Sequence, residues 1–448
     1  MADGLHRDAL PKTIRDAVSV TERLGLRYLW VDALCILQDD IDFATESVKM
    51  AEIYSQACVN LSASSSTSNS DGLFNKRSRS QHHHYKSCVK VEVRTGNAAS
   101  ALYFCHYTPA YVGRVVPDFP EEIQYGPVAF SDEVEQGHLS RRAWVCQERT
   151  SSPRTIHFGR TQLFWHCIHT VLAEDNLDTR VNQIANRHEY TNWRSFFFPS
   201  GPEPGVGIDI SDEYVLSREQ LDLWYSLLIP RHYSTRQLTY DSDKLIAISG
   251  LAKQVWRRRR SMAYIAGLWS VNLLDGLSWT ARGSGHRIAQ YVAPSWSWAS
   301  RSGEIEYGPM GTANASFECE VIKWEVTTSN GDQFGPVVGA TLELSAACVG
   351  GLVYGEYLYP FHRTRTLKLE TGATGEATMD DDGDDNLQVF ALLLRQDFVG
   401  AYFLLVVESV ESETQYSRVG MASVTRAEVS GNPANRFEGL EKRRWVLV

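Results

Sequence analysis

The sequence predicts an α/β protein in three parts. These are an N-terminal domain built on a partly parallel sheet over residues 1–175, a mainly helical linker region over 176–290, and a β-rich region over 291–448. Three observations predict it. Strand-length apolar runs alternate with helix-period segments in the first 65 residues, which is the pattern of a βαβ unit. Helical spacing dominates from about 212 to 275, and from Ala293 onward alternating residues and glycine turns take over. A chain of 448 residues also exceeds the roughly 250–300 residues at which single cores stop growing, so several packed units are expected.

In order, Ile14, Ala17, Val18 and Leu24 lie near one helical face, with Pro11 suited to a first turn and Gly25 to a stop. The run from Tyr28 to Ile36 reads as a buried parallel strand, Asp42 to Tyr54 as a crossover helix, and Ala57 to Ala63 as the neighbouring parallel strand. Cys88 to Val93 and Ala101 to Tyr107 read as strands. Residues Arg142 to Thr150 read as a helix, followed by strand-like pieces at Thr155 to Phe158 and Gln162 to Trp165. Leu221 to Leu228, Asp243 to Val255 and Tyr264 to Leu273 carry helical spacing. Trp296 and Trp298 alternate with Ser295 and Ser297, the pattern of a half-buried strand with tryptophans inward. A turn signature at Gly331 to Pro336 separates two strands between Trp324 and Leu342.

Composition excludes several classes. Hydrophobic residues make up 43% and charged residues 22%, so a folded core is expected rather than disorder. A formal charge of -10 argues against a nucleic-acid binder, and the basic run Arg257 to Arg260 reads as a solvated turn. Eight cysteines with no close pairs point to reduced thiols and an intracellular, cytoplasmic protein. The first ten residues hold no apolar signal core, and no segment approaches the about 20 apolar residues needed to span a membrane. No metal is expected. His166-Cys167-Ile168-His169 lacks a second ligand pair, and so does His82-His83-His84. The acidic stretch Asp380 to Asp385 has the wrong spacing for a calcium loop and reads as a solvated hairpin loop.

Three separated blocks resemble the fungal heterokaryon-incompatibility (HET) domain family. The first runs from Leu10-Pro11-Lys12-Thr13-Ile14 through Tyr28-Leu29-Trp30-Val31-Asp32-Ala33-Leu34-Cys35 to Asp71-Gly72-Leu73. The second is Arg142-Ala143-Trp144-Val145-Cys146-Gln147-Glu148-Arg149, with Ser152-Pro153-Arg154 and Leu163-Phe164-Trp165-His166-Cys167 after it. The third holds Asp243 to Ala252, Tyr264 to Trp269, and Ala293 to Ser300. Such domains usually begin with a strand of the pattern Tyr-x-Ala-Leu-Ser-Tyr-x-Trp-Gly, and this sequence starts after that point, so the expectation is either a sequence truncated at its N-terminus or a protein that has lost a central sheet strand. The resemblance implies a TIR/HET-like fold, distantly related to TIR domains, and self/non-self recognition coupled to cell-death signalling. It implies other incompatibility or signalling proteins, or further copies of the chain, as partners, with no nucleic acid and no membrane.

Some TIR domains cleave NAD with a single glutamate that follows a Trp-Cys-x-x-Glu helix motif, and the resemblance carries this role to Glu148. Trp144 precedes Glu148 by four residues, so both lie on one helical face. A carboxylate there can stabilise the oxocarbenium-like ribose left when nicotinamide departs. NAD would be a substrate, and no resident cofactor is implied. The alternative reading pairs Glu148 with Arg142 or Arg149 on a helix surface and leaves Trp144 in the core. Asp32, Cys35, Gln38 and Asp39 would fall at the carboxyl end of the predicted strand, where open α/β sheets bind ligands. The same aspartates serve equally as loop ties or helix caps. Cys35 and Cys146, with apolar neighbours, read as buried and inert, against a thiol hydrolase using His157. A non-catalytic scaffold and a repurposed small-metabolite enzyme complete the alternatives, and the missing strand favours the scaffold.

Overall fold

The structure is a computed structural model. It describes residues 6–37, 46, 49–74, 85–95, 98–107, 114–116, 119–124, 130–160, 162–168, 171–174, 218–283, 285–308, 316–355, 364–382, 386–397, 399–410, 412–425, 437 and 440–448. Mixed α/β structure with a partly parallel N-terminal sheet and a β-rich C-terminal region is observed. Two units emerge. The first comprises Met1–Gln38, Tyr54–Arg141 and Ser152–Phe198, and the second Asp39–Ile53, Arg142–Ser151 and Pro199–Val448.

In the first unit, α1 (Lys12–Arg23) buries Ile14 and Thr21. It ends as the sequence predicts. Gly25 adopts φ +70°, and Leu26 N–H donates to Thr21 O at 3.0 Å while Gly25 N–H donates to Glu22 O at 3.0 Å. This is a Schellman closure, which needs a left-handed residue that glycine adopts without steric cost. The same helix holds the loop that carries Asp71-Gly72-Leu73. Asp16 accepts Leu73 N–H at 2.9 Å, Thr13 Oγ1 accepts Gly72 N–H at 3.1 Å, and Lys12 Nζ donates to Asp71 O. Asp71 accepts from the backbone and hydroxyl of both Thr67 and Ser68, which holds its carboxyl down to about 2.

The run from Tyr28 to Ile36 is not a strand. Tyr28 to Val31 has no regular structure and Asp32–Cys35 forms a short helix, α2. Leu34 and Cys35 donate backward to Val31 O, and Ile36 donates to Asp32 O. Asp-Ala-Leu-Cys closes these bonds locally, and a short apolar run does not by its period distinguish helix from strand. The crossover helix is present in part as α3 (Met50–Gln56), while 41–45 lie outside the described residues. The third expected element is present as β1 (Asn60–Ser62).

Two hairpins follow: β2 (Tyr85–Thr95) with β3 (Ala98–Tyr107), close to the predicted strands, and β4 (Arg114–Val116) with β5 (Phe119–Gln124). After α4 (Ala143–Ser151) come β6 (Arg154–Phe158), β7 (Leu163–Cys167) and β8 (Val171–Ala173). The first unit's four-stranded sheet has the order β1-β6-β7-β8. Only its β1–β6 pair is parallel. The parallel neighbour of β1 is therefore β6, from nearly 100 residues downstream, and not the run at 28–36. One face of this sheet is polar yet buried. Thr155 and His157 on β6 and His166 on β7 are all buried, with Ser64 Oγ 3.1 Å from His157 Nδ1. The imidazoles of His157 and His166 stack with centroids 5.8 Å apart, and Phe130 meets both edge-on.

The second unit contains α5 (Arg218–Leu223), which runs into a π-helical stretch Trp224–Tyr233, and α6 (Ile246–Arg257). The segment from Tyr264 to Leu273 is a tight hairpin rather than a helix: β9 (Tyr264–Ile265) turns into β10 (Leu268–Trp269) through Ala266 and Gly267. Both turn residues have positive φ, 46° and 97°, the requirement of a two-residue turn matched to strand twist. Trp224 Nε1 and Trp298 Nε1 both donate to Gly267 O, at 3.2 and 3.1 Å. The strands β11 (Trp279–Arg282) and β12 (Glu304–Tyr307) pair antiparallel. Trp296 and Trp298 are fully buried as expected, but so are Ser295 and Ser297, and the segment is a turn entering a 3-10 helix. The serines tolerate burial because each is bonded: Ser297 Oγ donates to Ala266 O at 2.6 Å, and Ser295 Oγ donates to Val448 O.

The remaining strands are β13 (Ser316–Phe317), β14 (Glu320–Thr328), β15 (Val337–Tyr354), β16 (Thr364–Leu369), β17 (Thr374–Met379), β18 (Asn386–Gln396), β19 (Gly400–Ser409), β20 (Ser412–Thr425) and β21 (Lys442–Leu447). The predicted turn at Gly331 to Pro336 joins β14 to β15. The 18-residue β15 pairs with both β16 and β18, so β15-β16-β17-β20-β19-β18 closes into a six-stranded antiparallel barrel. Alternate residues of all six strands, among them Val353, Leu367, Ala377, Ala391, Phe403 and Ala422, form one buried cluster, so the barrel interior is side-chain core.

Arg418 on β20 ties this barrel to β11. Its Nε donates to Asp380 Oδ2 at 2.9 Å, Nη1 to Leu277 O at 2.6 Å, and Nη2 to Trp279 O, with the guanidinium 3.4 Å from the Trp279 ring centroid. Asp380, expected in a solvated loop, is instead buried at 6% exposure to neutralise this cation. Removing the charge of one partner in a buried pair leaves the other uncompensated, which typically costs about 3–5 kcal/mol. Asp380→Asn is predicted to lower stability by that amount in urea unfolding followed by tryptophan near-ultraviolet circular dichroism. A change under about 1 kcal/mol would reject this role for the pair.

Candidate functional site

The site residues predicted from sequence fall into two groups. Asp32 and Cys35 lie together on α2 in the first unit, and both are exposed. The expectation of an aspartate buried within a strand is thereby corrected, as is that of a buried Cys35. Asp32 Oδ1 accepts Ala33 N–H at 2.8 Å, so the carboxylate sits at the start of its own short helix. Gln38 and Asp39 lie outside the described residues.

Trp144 and Glu148 belong to α4, in the second unit. The helix starts where Ala143 N–H donates to Gln237 O at 2.9 Å and Arg142 forms a parallel bridge with Gln237. One side of α4 is closed by packing: Ala143, Cys146, Gln147 and Thr150 are buried. Gln147 is the anchor. Its Oε1 accepts the Gly250 N–H of α6 at 2.8 Å, and a Cβ at Gly250 would overlap both Gln147 and Ala51. Glycine is required there by close approach of the helices, not by its φ. Ser151 Oγ accepts from Gln254 Nε2 of α6 at 3.3 Å, fixing the helix's far end.

Trp144 and Glu148 are both half-buried and one turn apart. Trp144 Nε1 donates to Asp243 Oδ2 at 3.2 Å, which orients the indole from outside its own helix. Burial raises the Asp243 carboxyl and the tryptophan bond opposes that rise. Cys146, on the closed side, has its thiol pushed up by burial, in keeping with the expectation of an inert cysteine.

A basic cluster lies in the same unit. His232 is held down to about 3, first by burial and then by Arg236, Arg149 and Arg231. Arg236 Nε donates to His232 O, keeping the guanidinium beside this histidine. A carboxylate one turn from an oriented indole is a pair suited to a substrate with a developing positive centre. Gln147, which anchors the helix, and Asp243, which orients the indole, were missed from sequence although both sit inside the resembling blocks.

Lys244, next to Asp243, is buried, donates to Arg301 O, and lies 5.9 Å from the Trp298 ring centroid. Burial first, then Arg301, brings its ammonium down to about 8, with Asp241 acting in the opposite direction. Between that value and its unfolded value near 10.5, the folded state binds fewer protons than the unfolded state. Lys244 therefore makes stability rise with pH, by at most about 1.4 kcal/mol per pH unit. The buried thiols of Cys146, Cys319 and Cys348, raised above 9, and the buried hydroxyls of Tyr225, Tyr233 and Tyr307, raised above 10, act oppositely, so the contribution of Lys244 is read as a difference between two proteins. Urea unfolding at pH 8, 9 and 10 is predicted to show the stability of the wild type relative to Lys244→Met rising with pH. Parallel pH dependence in the two proteins would exclude this contribution.

No helix among the described residues is long and apolar enough to cross a membrane. Neither a curated protein nor a solved structure matches the chain. A family model does match: Heterokaryon incompatibility protein (HET), over residues 2–148, a span that includes α1, α2 and both Trp144 and Glu148.

Proposed function

We propose that the protein is a self/non-self recognition effector of the heterokaryon-incompatibility type, cytoplasmic, which triggers growth arrest or cell death on assembly with an incompatibility or signalling partner or with further copies of itself. The match of residues 2–148 to the family carries this reading. The β-rich region adds a closed barrel with a filled interior, which suits a recognition or self-inhibitory module better than a small-molecule pocket.

A second reading, NAD glycohydrolysis with Glu148 as catalytic carboxylate, is favoured by one observation. Glu148 lies one turn from an indole that Asp243 holds in place. In this reaction the nicotinamide–ribose bond breaks, Glu148 stabilises the developing oxocarbenium charge, and water supplies the new ribose oxygen. The likeness to TIR domains supports the same substrate class, as an analogy only.

The test is inducible expression in a filamentous fungus with growth as readout, beside nicotinamide release from NAD by purified protein. The effector reading predicts growth arrest, and its absence with every partner allele tried rejects that reading. The enzymatic reading predicts that Glu148→Gln lowers nicotinamide release by at least about 100-fold while the protein stays folded. Equal release by both proteins removes the role of Glu148, and arrest without any release favours the scaffold.

A further inference from the structure

The sequence holds eight cysteines, and their spacing along the chain suggests no pairs. The fold changes that picture at one place. In the antiparallel hairpin β2–β3, Cys88 stands directly opposite Cys105, between the pairs Ser87–His106 and Val89–Phe104. Opposed residues in an antiparallel pair have Cα atoms about 4.5 or 5.5 Å apart, depending on whether they exchange backbone hydrogen bonds. A disulfide spans Cα separations of about 4.4–6.8 Å, so either kind of pair is within reach. No other two cysteines stand opposite one another among the described strands.

We propose that Cys88 and Cys105 are a redox couple whose oxidation staples the β2–β3 hairpin of the HET domain. The oxidant is a low-molecular-weight disulfide of the glutathione class. One cysteine thiolate attacks a glutathione sulfur and expels one glutathione thiolate, leaving a mixed disulfide. The second thiolate attacks the protein-bound sulfur and expels the other glutathione thiolate. Two thiol protons pass to the two leaving thiolates, and two electrons to the oxidant. The consequence is mechanical. β2 and β3 form a two-stranded sheet of their own, a class of structure that is marginal in water without support. A cross-link near the open end of the hairpin, three register pairs in from that end, stabilises it and forbids register slippage. It couples the folded state of this part of the HET domain to the thiol–disulfide poise of its surroundings, independently of any chemistry at Glu148.

The experiment uses the full chain, reduced, then equilibrated over a series of oxidised-to-reduced glutathione ratios, alkylated, and digested with trypsin without reductant. Lys90 and Arg94 lie between the two cysteines, so cleavage separates peptide 87–90 from peptide 95–114 unless a disulfide joins them. The proposal predicts a linked 87–90/95–114 species, lighter than the sum of its parts by two hydrogens, with matching loss of alkylation at both cysteines. Reductant abolishes it, Cys88→Ser and Cys105→Ser each abolish it, and Cys35→Ser and Cys58→Ser leave it in place. The wild-type map decides without relying on any variant's folding. Separate alkylated peptides at every ratio, mixed glutathione adducts alone, or linkage of either cysteine to Cys35 or Cys58 would overturn the proposal.

Discussion

The second unit depends on one buried cation. Arg418 reaches from the barrel strand β20 to Asp380, to the carbonyls of Leu277 and Trp279, and across the Trp279 ring, while its own N–H donates to Ser295 Oγ at 3.0 Å. Four segments far apart in sequence meet at one side chain. Burial works against the charge, and the Asp380 carboxylate works for it. Such an arrangement is a weak source of net stability but a strong source of specificity, because no other packing satisfies the guanidinium. It explains why a serine and an aspartate occupy wholly buried positions beside tryptophans. Each is a partner that this cation, or the backbone around it, requires.

The candidate site follows the same logic on a smaller scale. Packing of α4 against α6 leaves no freedom on the closed side, where Gln147 occupies the space that glycine at 250 leaves open. With that side fixed, the half-buried face carrying Trp144 and Glu148 is placed by rigid elements rather than by a loop, and Asp243 sets the indole. Gln147 Nε2 has no partner among the described residues, which makes this buried amide costly and its retention dependent on the Gly250 bond.

What could be read from sequence was what local chemistry decides. Gly25 ends α1 because its φ is positive, the turn near Gly331 joins β14 to β15, and the strands around Cys88 and Ala101 pair as their composition suggests. What could not be read was decided by distant partners. The apolar run around Leu29 looks like a buried strand, but β1 takes its parallel neighbour from β6 instead. The alternation at Ser295 to Trp298 mimics a half-buried strand because buried serines are indistinguishable from exposed ones until Ala266 and Val448 arrive as acceptors. Asp380 looks solvated beside its acidic neighbours, and only Arg418 makes it a core residue. That Trp144 and Glu148 share one turn of α4 was legible from helical spacing, whereas the bond from Trp144 to Asp243 comes from another element with no motif to announce it.

The enzymatic reading proposed for the Trp144–Glu148 face of α4 requires that this face bind NAD. Fluorine resonances of 5-fluorotryptophan-labelled protein during an NAD titration test it most directly, because the buried Trp224, Trp269, Trp279, Trp296 and Trp298 serve as internal references. The account predicts that one resonance moves with NAD, that this resonance is absent from Trp144→Phe, and that the five buried signals stay in place. No movement at saturating NAD, or a moving signal that survives Trp144→Phe, would contradict it.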